Sequence, residues 1–163
     1  MRLLACACFA VGTLVFSGCS TVLRPSLDAE SESKLQQVSA AIWKHDTRQA
    51  LAQLAGMPNA KVDTVYESSG QPSTLLHEAC TTGNLEIVKV LLEKGANVNR
   101  AVNDRYPLAA AAAGNHTEII VLLLDRGAKI NQRDSHGISA MMYAHSNFHK
   151  EACELLRAHG GKM

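Results

Sequence analysis

The ten residues 91–100, LLEKGANVNR, recur almost unchanged at residues 123–132 as LLDRGAKINQ. Each copy has paired leucines, an acidic and a basic residue, Gly-Ala and a short polar tail that contains asparagine. Glycine commonly ends a helix because it adopts positive φ without the steric cost that other residues meet. The same helix ending, written twice in one chain, indicates an internal duplication.

Longer segments align with these endings and define a period. Leu76, Leu108 and Met141 take equivalent positions at spacings of 32 and 33 residues. Within each copy, apolar residues recur at helical spacing, which predicts two short antiparallel helices per repeat. The three copies cover residues 73–99, 106–131 and 139–161.

Capping and breaking residues locate the helix ends. Thr74 and Ser139 are suitable N-cap residues, and Pro107 suits the first position of a helix, where its missing amide hydrogen costs nothing. We expect Gly83 to end the first helix of the first copy, and Gly95 to end the second helix with positive φ. The second helix, residues 85–93, is expected to bury Ile87, Val88, Leu91 and Leu92.

These copies resemble the ankyrin repeat. The family's threonine-proline-leucine-histidine start is matched by residues 74–77, TLLH, and residues 106–109, YPLA. Its glycine-alanine-aspartate-valine-asparagine ending is matched by residues 95–99, GANVN, and residues 127–131, GAKIN. The resemblance implies an all-α fold, an ankyrin-repeat solenoid of stacked helix-turn-helix units with finger loops. One repeat cannot bury its own apolar face, and the chain provides about four units including degenerate caps.

The two ends of the array depart from the family pattern. Phe148 replaces a glycine in the third copy, which looks like a C-terminal cap. Residues 35–63 form a pattern of two short helices, with Trp43, Leu51 and Leu54 as apolar positions, but lack the signature start. They are interpreted as a degenerate N-terminal repeat. The alternative is an unrelated helical hairpin packed on the stack.

The first twenty residues, MRLLACACFAVGTLVFSGCS, predict an export signal, because one cation precedes an unbroken apolar run and a small-residue end. As a helix, residues 3–18 would reach about 24 Å, short of the roughly 30 Å of a bilayer core, which disfavours a permanent span. Residues 16–19 resemble a bacterial lipoprotein box, which implies lipidation of Cys19 and cleavage just before it. Ser20, where aspartate would retain the protein at the inner membrane, implies the outer membrane, with the domain facing the periplasm.

The expected organisation therefore has six segments. They are a signal peptide over residues 1–18, a flexible tether over 19–34, a degenerate N-terminal capping repeat over 35–66, ankyrin repeats over 67–101 and 102–133, and a C-terminal capping repeat over 134–163. The tether is predicted from its polar, acidic composition and its proline. Its expected role is to hold the domain away from the membrane while keeping it close to it.

Composition and motifs narrow the function classes. The formal net charge is +1 and no basic cluster occurs, which argues against nucleic-acid binding. We predict a non-enzyme because the chain lacks a strained, glycine-flanked serine, a Cys-His arrangement and a phosphate-binding loop. Residues 68–73, SSGQPS, are interpreted as a plain loop. The repeat register separates four histidines of the last copy, so neither a metal nor another cofactor is expected: His136, His145, His149 and His159.

Three further residues are expected to be structural. His77 matches the position at which the ankyrin family uses a histidine to tie backbone turns together. Cys80 and Cys153 fall two repeats apart in the register, too far for the roughly 7 Å between α-carbons that a disulfide allows. Two buried free thiols are therefore predicted.

The resemblance also implies a concave protein-binding groove formed by the finger loops and the outward positions of the first helices. The residues expected to contact the partner are Glu78, Thr81, Arg100, Asn103, Arg105, Arg133, His136 and Tyr143. Weaker candidates on the same groove are Thr82, Asp104, Ala110, Ala113, Ser146 and Asn147. Arginine and tyrosine often carry interface energy, so Arg100, Arg105, Arg133 and Tyr143 lead this set.

The expected function is that of a monomeric, membrane-tethered module that binds, protects or inhibits another exported protein. Two alternatives stay open. One is a secreted ankyrin effector that engages a host protein, whose signal is cleaved without lipidation. The other is an accessory protein for toxin immunity or for metal or haem handling.

Overall fold

A computed structural model describes residues 29–163. The predicted signal peptide, the lipoprotein box and Cys19 lie outside these residues. Within the described part, the helices are α1 (Ala29–Trp43), α2 (Thr47–Ala55), α3 (Asn59–Val62), α4 (Leu75–Thr82), α5 (Leu85–Glu93), α6 (Pro107–Ala113), α7 (Thr117–Asp125), α8 (Ala140–Ser146) and α9 (Lys150–Ala158). The strands are β1 (Tyr66–Ser68) and β2 (Gln71–Ser73). None of these helices combines the length and hydropathy needed to cross a bilayer.

The helices form two parallel rows of neighbours. The first helices of successive units pack in the order α1, α4, α6 and α8, and the second helices pack in the order α2, α5, α7 and α9. The stack of helical pairs predicted from the sequence is confirmed. Its core runs continuously between the rows, and includes Leu54, Leu76, Leu91, Leu123 and Leu156.

Helix α1 begins at Ala29, so the last six residues of the predicted tether, 29–34, are helical. The apolar residues Leu35, Val38 and Ile42 follow at helical spacing and are fully buried. This stripe packs on α2 and α4, and the helix extends upstream from it through polar residues. The tether boundary at residue 34 is therefore corrected to a position before Ala29.

The predicted helix ends are confirmed by the capping geometry. The Thr74 and Ser139 hydroxyls accept hydrogen bonds from backbone amides three residues ahead, each at 3.3 Å. Pro107 is the first residue of α6. Gly83 and Gly95 have φ of 79° and 90°, so both lie in the left-handed region. Of the four side chains expected to be buried on α5, Leu92 differs because it is only half-buried, at the edge of the core.

An asparagine near the end of the first and of the second repeat binds the backbone of the repeat that follows. The Asn99 side chain donates to the Gly127 carbonyl at 3.0 Å and accepts from the Lys129 amide at 2.9 Å. Both partners lie at the left-handed glycine turn that follows α7. The same pair of contacts recurs one repeat later, between Asn131, Gly160 and Lys162. The duplicated endings GANVN and GAKIN therefore encode the contact that holds repeats in register.

An aspartate occupies the equivalent position in the first helical pair. The Asp63 carboxylate accepts a hydrogen bond from the Asn97 amide at 3.1 Å, two residues after the Gly95 turn. The same carboxylate forms an ion pair with Arg100, whose Nη2 lies 2.6 Å from Oδ2. Residues 29–63 are thus joined to the first repeat by the same type of contact that joins the later repeats.

The segment interpreted as a plain loop, residues 68–73, belongs to a β-hairpin. Strands β1 and β2 pair antiparallel around the two-residue turn Ser69-Gly70, whose φ values are 52° and 78°. Positive φ at both central residues is the geometry of a type I′ turn, which matches the twist of the strands. The loop prediction was wrong because strands of three residues are too short to show an alternating pattern.

The two cysteines of the described residues are free, as predicted, but they differ in burial. Cys80 is fully buried in the core, and this burial raises the pKa of its thiol. Cys153 is half-buried, contrary to the expectation. It lies on α9, whose outer face has no further helical pair packed against it among the described residues.

We predict that Asn99→Ala lowers the free energy of unfolding by about 1–2 kcal/mol, because it leaves the Gly127 carbonyl and the Lys129 amide without their side-chain partner. Urea denaturation measures this change. Lys129→Ala is the matched control, since it keeps the backbone amide and removes only an exposed side chain, and its effect is expected to stay within about 0.5 kcal/mol. Equal losses in both variants would contradict the role assigned to Asn99.

Candidate functional site

The loops that connect the repeats contact one another in a continuous finger row, defined as the hairpin β1–β2 with residues 100–105 and 133–139. Each of the two later loops closes with a short antiparallel bridge. The Asn103 side chain donates to the Pro72 carbonyl at 3.3 Å, and the Ser135 hydroxyl donates to the Asp104 carboxylate at 2.8 Å. Neighbouring fingers are therefore held by direct hydrogen bonds.

Arg105, Tyr143 and Asp134 form a linked cluster between two fingers and helix α8. The Arg105 guanidinium carbon lies 5.1 Å from the centre of the Tyr143 ring, which is a cation–π distance. The Tyr143 hydroxyl donates to the Asp134 carboxylate at 2.6 Å. This hydrogen bond, followed by one from the Ile138 amide, lowers the pKa of Asp134. The cluster presents an ordered arginine and a half-buried tyrosine at the surface.

A cleft of about 240 Å³ opens between the end of α1, the hairpin, helix α4 and the loop 100–105. We call it the Trp43 cleft, because the Trp43 ring, 53% exposed, forms part of its wall. The cleft brings together four residues that were predicted as partner contacts: Glu78, Thr81, Asn103 and Arg105. Thr81, Asn103 and Arg105 are exposed.

Glu78 is buried, with only 2% of its surface exposed, although it was expected to face the groove. Its backbone amide bonds to the Thr74 carbonyl in the first turn of α4, a helix packed between α1 and α6, and Tyr66 of the hairpin lies close to its carboxylate. Ala110 is likewise buried, because α6 is packed between α4 and α8. The first helices therefore offer fewer exposed positions than their sequence pattern indicates.

The other residues predicted to contact the partner differ in how many hydrogen bonds and ion pairs they form within the protein. Arg100 is half-buried in its ion pair with Asp63 and is not brought to the Trp43 cleft. The Arg133 guanidinium donates to the carbonyls of Gly137 and Met163, each at 2.7 Å. His136 is exposed near the tip of the last finger. Arg100 and Arg133 thus have structural partners, whereas His136 is exposed and its ring makes one contact, of 3.4 Å between Nδ1 and the Ser135 hydroxyl oxygen.

His77 does not tie backbone turns together through its Nε2 atom, which is buried without a hydrogen-bond partner among the described residues. Burial first, and then the positive charge of Arg105, lower the pKa of His77 to about 4. The ring is therefore neutral near pH 7. In place of His77, two other histidines bridge repeats: His116 Nε2 lies 3.2 Å from the Thr81 carbonyl oxygen, and His149 Nε2 lies 3.0 Å from that of Ala113.

Within residues 29–163, no three His, Cys, Asp or Glu side chains are grouped closely enough to hold a metal ion. His145 and His149 both line a surface depression beside Phe148, while His136 and His159 lie elsewhere. The expectation that the protein needs no metal or other cofactor remains a prediction.

A family model described as "Ankyrin repeats (3 copies)" matches residues 38–134 and again residues 76–163. These matches cover more than half of the chain, which therefore belongs to the ankyrin-repeat family. Ankyrin repeats generally mediate protein–protein interactions, and proteins built from them are typically non-enzymatic. Membership thus indicates a protein-binding module. A search of curated proteins found no match to this chain.

Two parts of the site were missed from the sequence. Trp43 was taken as an apolar position of a core helix, yet it lies at the end of α1 with half of its surface exposed. The hairpin was taken as a loop, although its Ser-Gly pair is suited to the positive φ values of a two-residue turn. The position of Trp43 at the last turn, just before the polar sequence 44–49, was the available signal.

The low pKa of His77 predicts acid sensitivity. Between the ordinary value of 6.5 and about 4, the unfolded state binds a proton that the folded state excludes, so stability falls as the pH is lowered through this range. We expect His77 to account for about 1–2 kcal/mol of the loss between pH 7 and pH 5. Urea denaturation of His77→Gln at both pH values measures this contribution, and the loss should shrink. The control His136→Gln should keep the loss of the unsubstituted chain, and an unchanged loss in His77→Gln would contradict the assignment.

Proposed function

We propose that the protein is a non-enzymatic binding module that is anchored by a lipid on Cys19 to the bacterial outer membrane and binds an exported protein in the periplasm. The lipoprotein-like residues 16–19 support the anchor, and the ankyrin fold supports the binding role. The described domain begins at Ala29, ten residues after Cys19. Ten extended residues span at most about 35 Å, which keeps the domain near the membrane surface.

The observation that carries the proposal is the placement of Arg105, in the finger row, with Tyr143 and Trp43 on the helices beside it. These three residue types are enriched among side chains that dominate binding energy. Arg105 is already ordered over the Tyr143 ring, so that less side-chain entropy is lost when a partner binds. Trp43 adds exposed aromatic surface on the other side of the cleft. The partner surface is therefore centred on the first two fingers.

Lipidation is tested by labelling cells that express the full chain with radioactive palmitate. Cys19→Ser is expected to abolish incorporation and to release the protein from the membrane fraction, because the thiol carries the acyl chain in the proposed anchor. Cys153→Ser is the matched control, since its thiol is half-buried in the domain, and it should leave the label intact. A signal that is cleaved without labelling would instead favour the secreted effector.

Partner binding is tested by crosslinking and capture of the full chain from membrane extracts, followed by mass spectrometry. Arg105→Ala is expected to reduce recovery of the specific partner at least about tenfold, which corresponds to 1.4 kcal/mol, because it removes the central cation of the surface. Lys89→Ala, an exposed substitution on α5, is the control and should leave recovery unchanged. Recovery that is insensitive to Arg105→Ala would contradict the assigned surface.

A further inference from the structure

Buried polar atoms at and beside the Trp43 cleft lack partners at normal hydrogen-bond distance in the described part of the chain. Both carboxyl oxygens of Glu78, the Nε2 atom of His77 and the hydroxyl of Tyr66 are buried without a hydrogen bond. His77 and Glu78 line the cleft on successive positions of α4. Tyr66 does not line the cleft but lies close to Glu78, because burial first, and then the charge of Glu78 and a side-chain interaction with it, raise the pKa of Tyr66. Unpaired acceptors therefore gather at one side of one cleft.

Such an arrangement is costly in the free protein. A buried carboxyl group without a donor loses its hydration and gains no hydrogen bond in return. A neutral histidine ring has one acceptor nitrogen, and here that acceptor can be Nε2. The Tyr66 hydroxyl interacts with the Glu78 carboxylate but has only one proton to donate, so a bound group with several N–H donors would satisfy the acceptors that remain.

The walls of the cleft indicate the shape of that group. The exposed face of Trp43 can pack along an aliphatic stem and can also stack on a planar cation. The one cation that the chain itself places on the cleft wall, Arg105, is held over the Tyr143 ring of a neighbouring repeat. A guanidinium supplies five N–H donors in a flat fork, which fits two carboxyl oxygens better than a single ammonium does.

We propose that the Trp43 cleft is a subsite for an arginine side chain of the bound partner, with the guanidinium on Glu78 and the stem against Trp43. This inference rests on the proposed protein-binding function and specifies the chemistry of the partner. Because both Glu78 oxygens are shielded from solvent in the free chain, rotation of this side chain into the cleft is part of the binding step.

Trp43 is the single tryptophan of the sequence, so its fluorescence reports directly on the cleft. The purified full chain in mild detergent is titrated with N-acetyl-arginine methylamide, and with the citrulline analogue, which has the same shape without the charge. A saturable change with the arginine probe is expected at millimolar concentration, and at least about tenfold weaker binding with citrulline. N-acetyl-lysine methylamide should also bind more weakly than the arginine probe.

Glu78→Gln is expected to weaken binding of the arginine probe at least about tenfold while the melting temperature stays equal or rises, because the variant removes an unpaired buried carboxyl. Glu86→Gln, which removes an exposed charge from the first turn of α5, is the matched control and should bind like the unsubstituted chain. This combination separates a binding role from a structural one, because loss of a carboxyl that stabilises the fold would lower the melting temperature.

Four results would overturn the proposal. They are equal binding of the arginine and citrulline probes, equal binding of arginine and lysine probes, tighter binding of free L-arginine than of the capped probe, and a lower melting temperature for Glu78→Gln. The third result would mean that the cleft takes the amino acid and not a partner's side chain. None of these measurements needs the membrane anchor or the natural partner, so failure here is distinguishable from failure of the proposed function.

Discussion

At the end of each repeat, a backbone amide near the left-handed glycine turn donates to a side chain of the preceding unit, and in the last two repeats the same side chain also donates to the glycine carbonyl. Asn99 and Asn131 make this pair of contacts, and Asp63 makes the amide contact at the start of the array. Unpaired backbone groups are costly, so the contact selects one register among the ways in which two apolar helical pairs can slide over each other. Burial of apolar side chains holds the repeats together, and these polar contacts set their relative register.

That register also positions the finger row. Once two repeats are aligned, Asn103 reaches the hairpin and Ser135 reaches Asp104, so each finger is supported by its neighbour. Arg105 comes to lie over Tyr143 of the next repeat for the same reason. The Trp43 cleft is then formed at the junction where the first helical pair meets the first repeat. The proposed binding surface is thus formed where neighbouring units contact one another, and no single unit contains all of it.

The fold was predictable because the same pattern of capping residues and helix-ending glycines recurs in successive repeats of the sequence. Thr74, Ser139, Gly83 and Gly95 each have a local physical role that can be recognised without knowing their neighbours. The site was less predictable because the exposure of its side chains depends on which neighbouring elements pack over them. The helical pattern marks Glu78 as polar and therefore exposed, and only the packing of neighbouring units around α4 reveals its burial.

Exposure was misjudged at both ends of the array for a related reason. Trp43 was interpreted only as an apolar position of a short helix, and Cys153 was expected inside because its helix position faces a core in an inner repeat. Whether such a position is covered depends on a neighbouring unit, which periodicity within one unit cannot report. Residues whose environment is set inside one helical pair, such as Leu91, were correctly expected in the core.

The chain of neighbour contacts along the rows α1, α4, α6, α8 and α2, α5, α7, α9 has an energetic consequence. In such a linear array, a disturbance at one end reaches the other only by passing through each interface in turn. The last helical pair, with Phe148 93% exposed on a left-handed backbone, can open locally without separating α1 from α4, but it also carries Tyr143, which holds Arg105 at the cleft wall. Substitutions on α9 can therefore accumulate at little cost to recognition at the proximal end, provided that they leave Tyr143 of α8 in place.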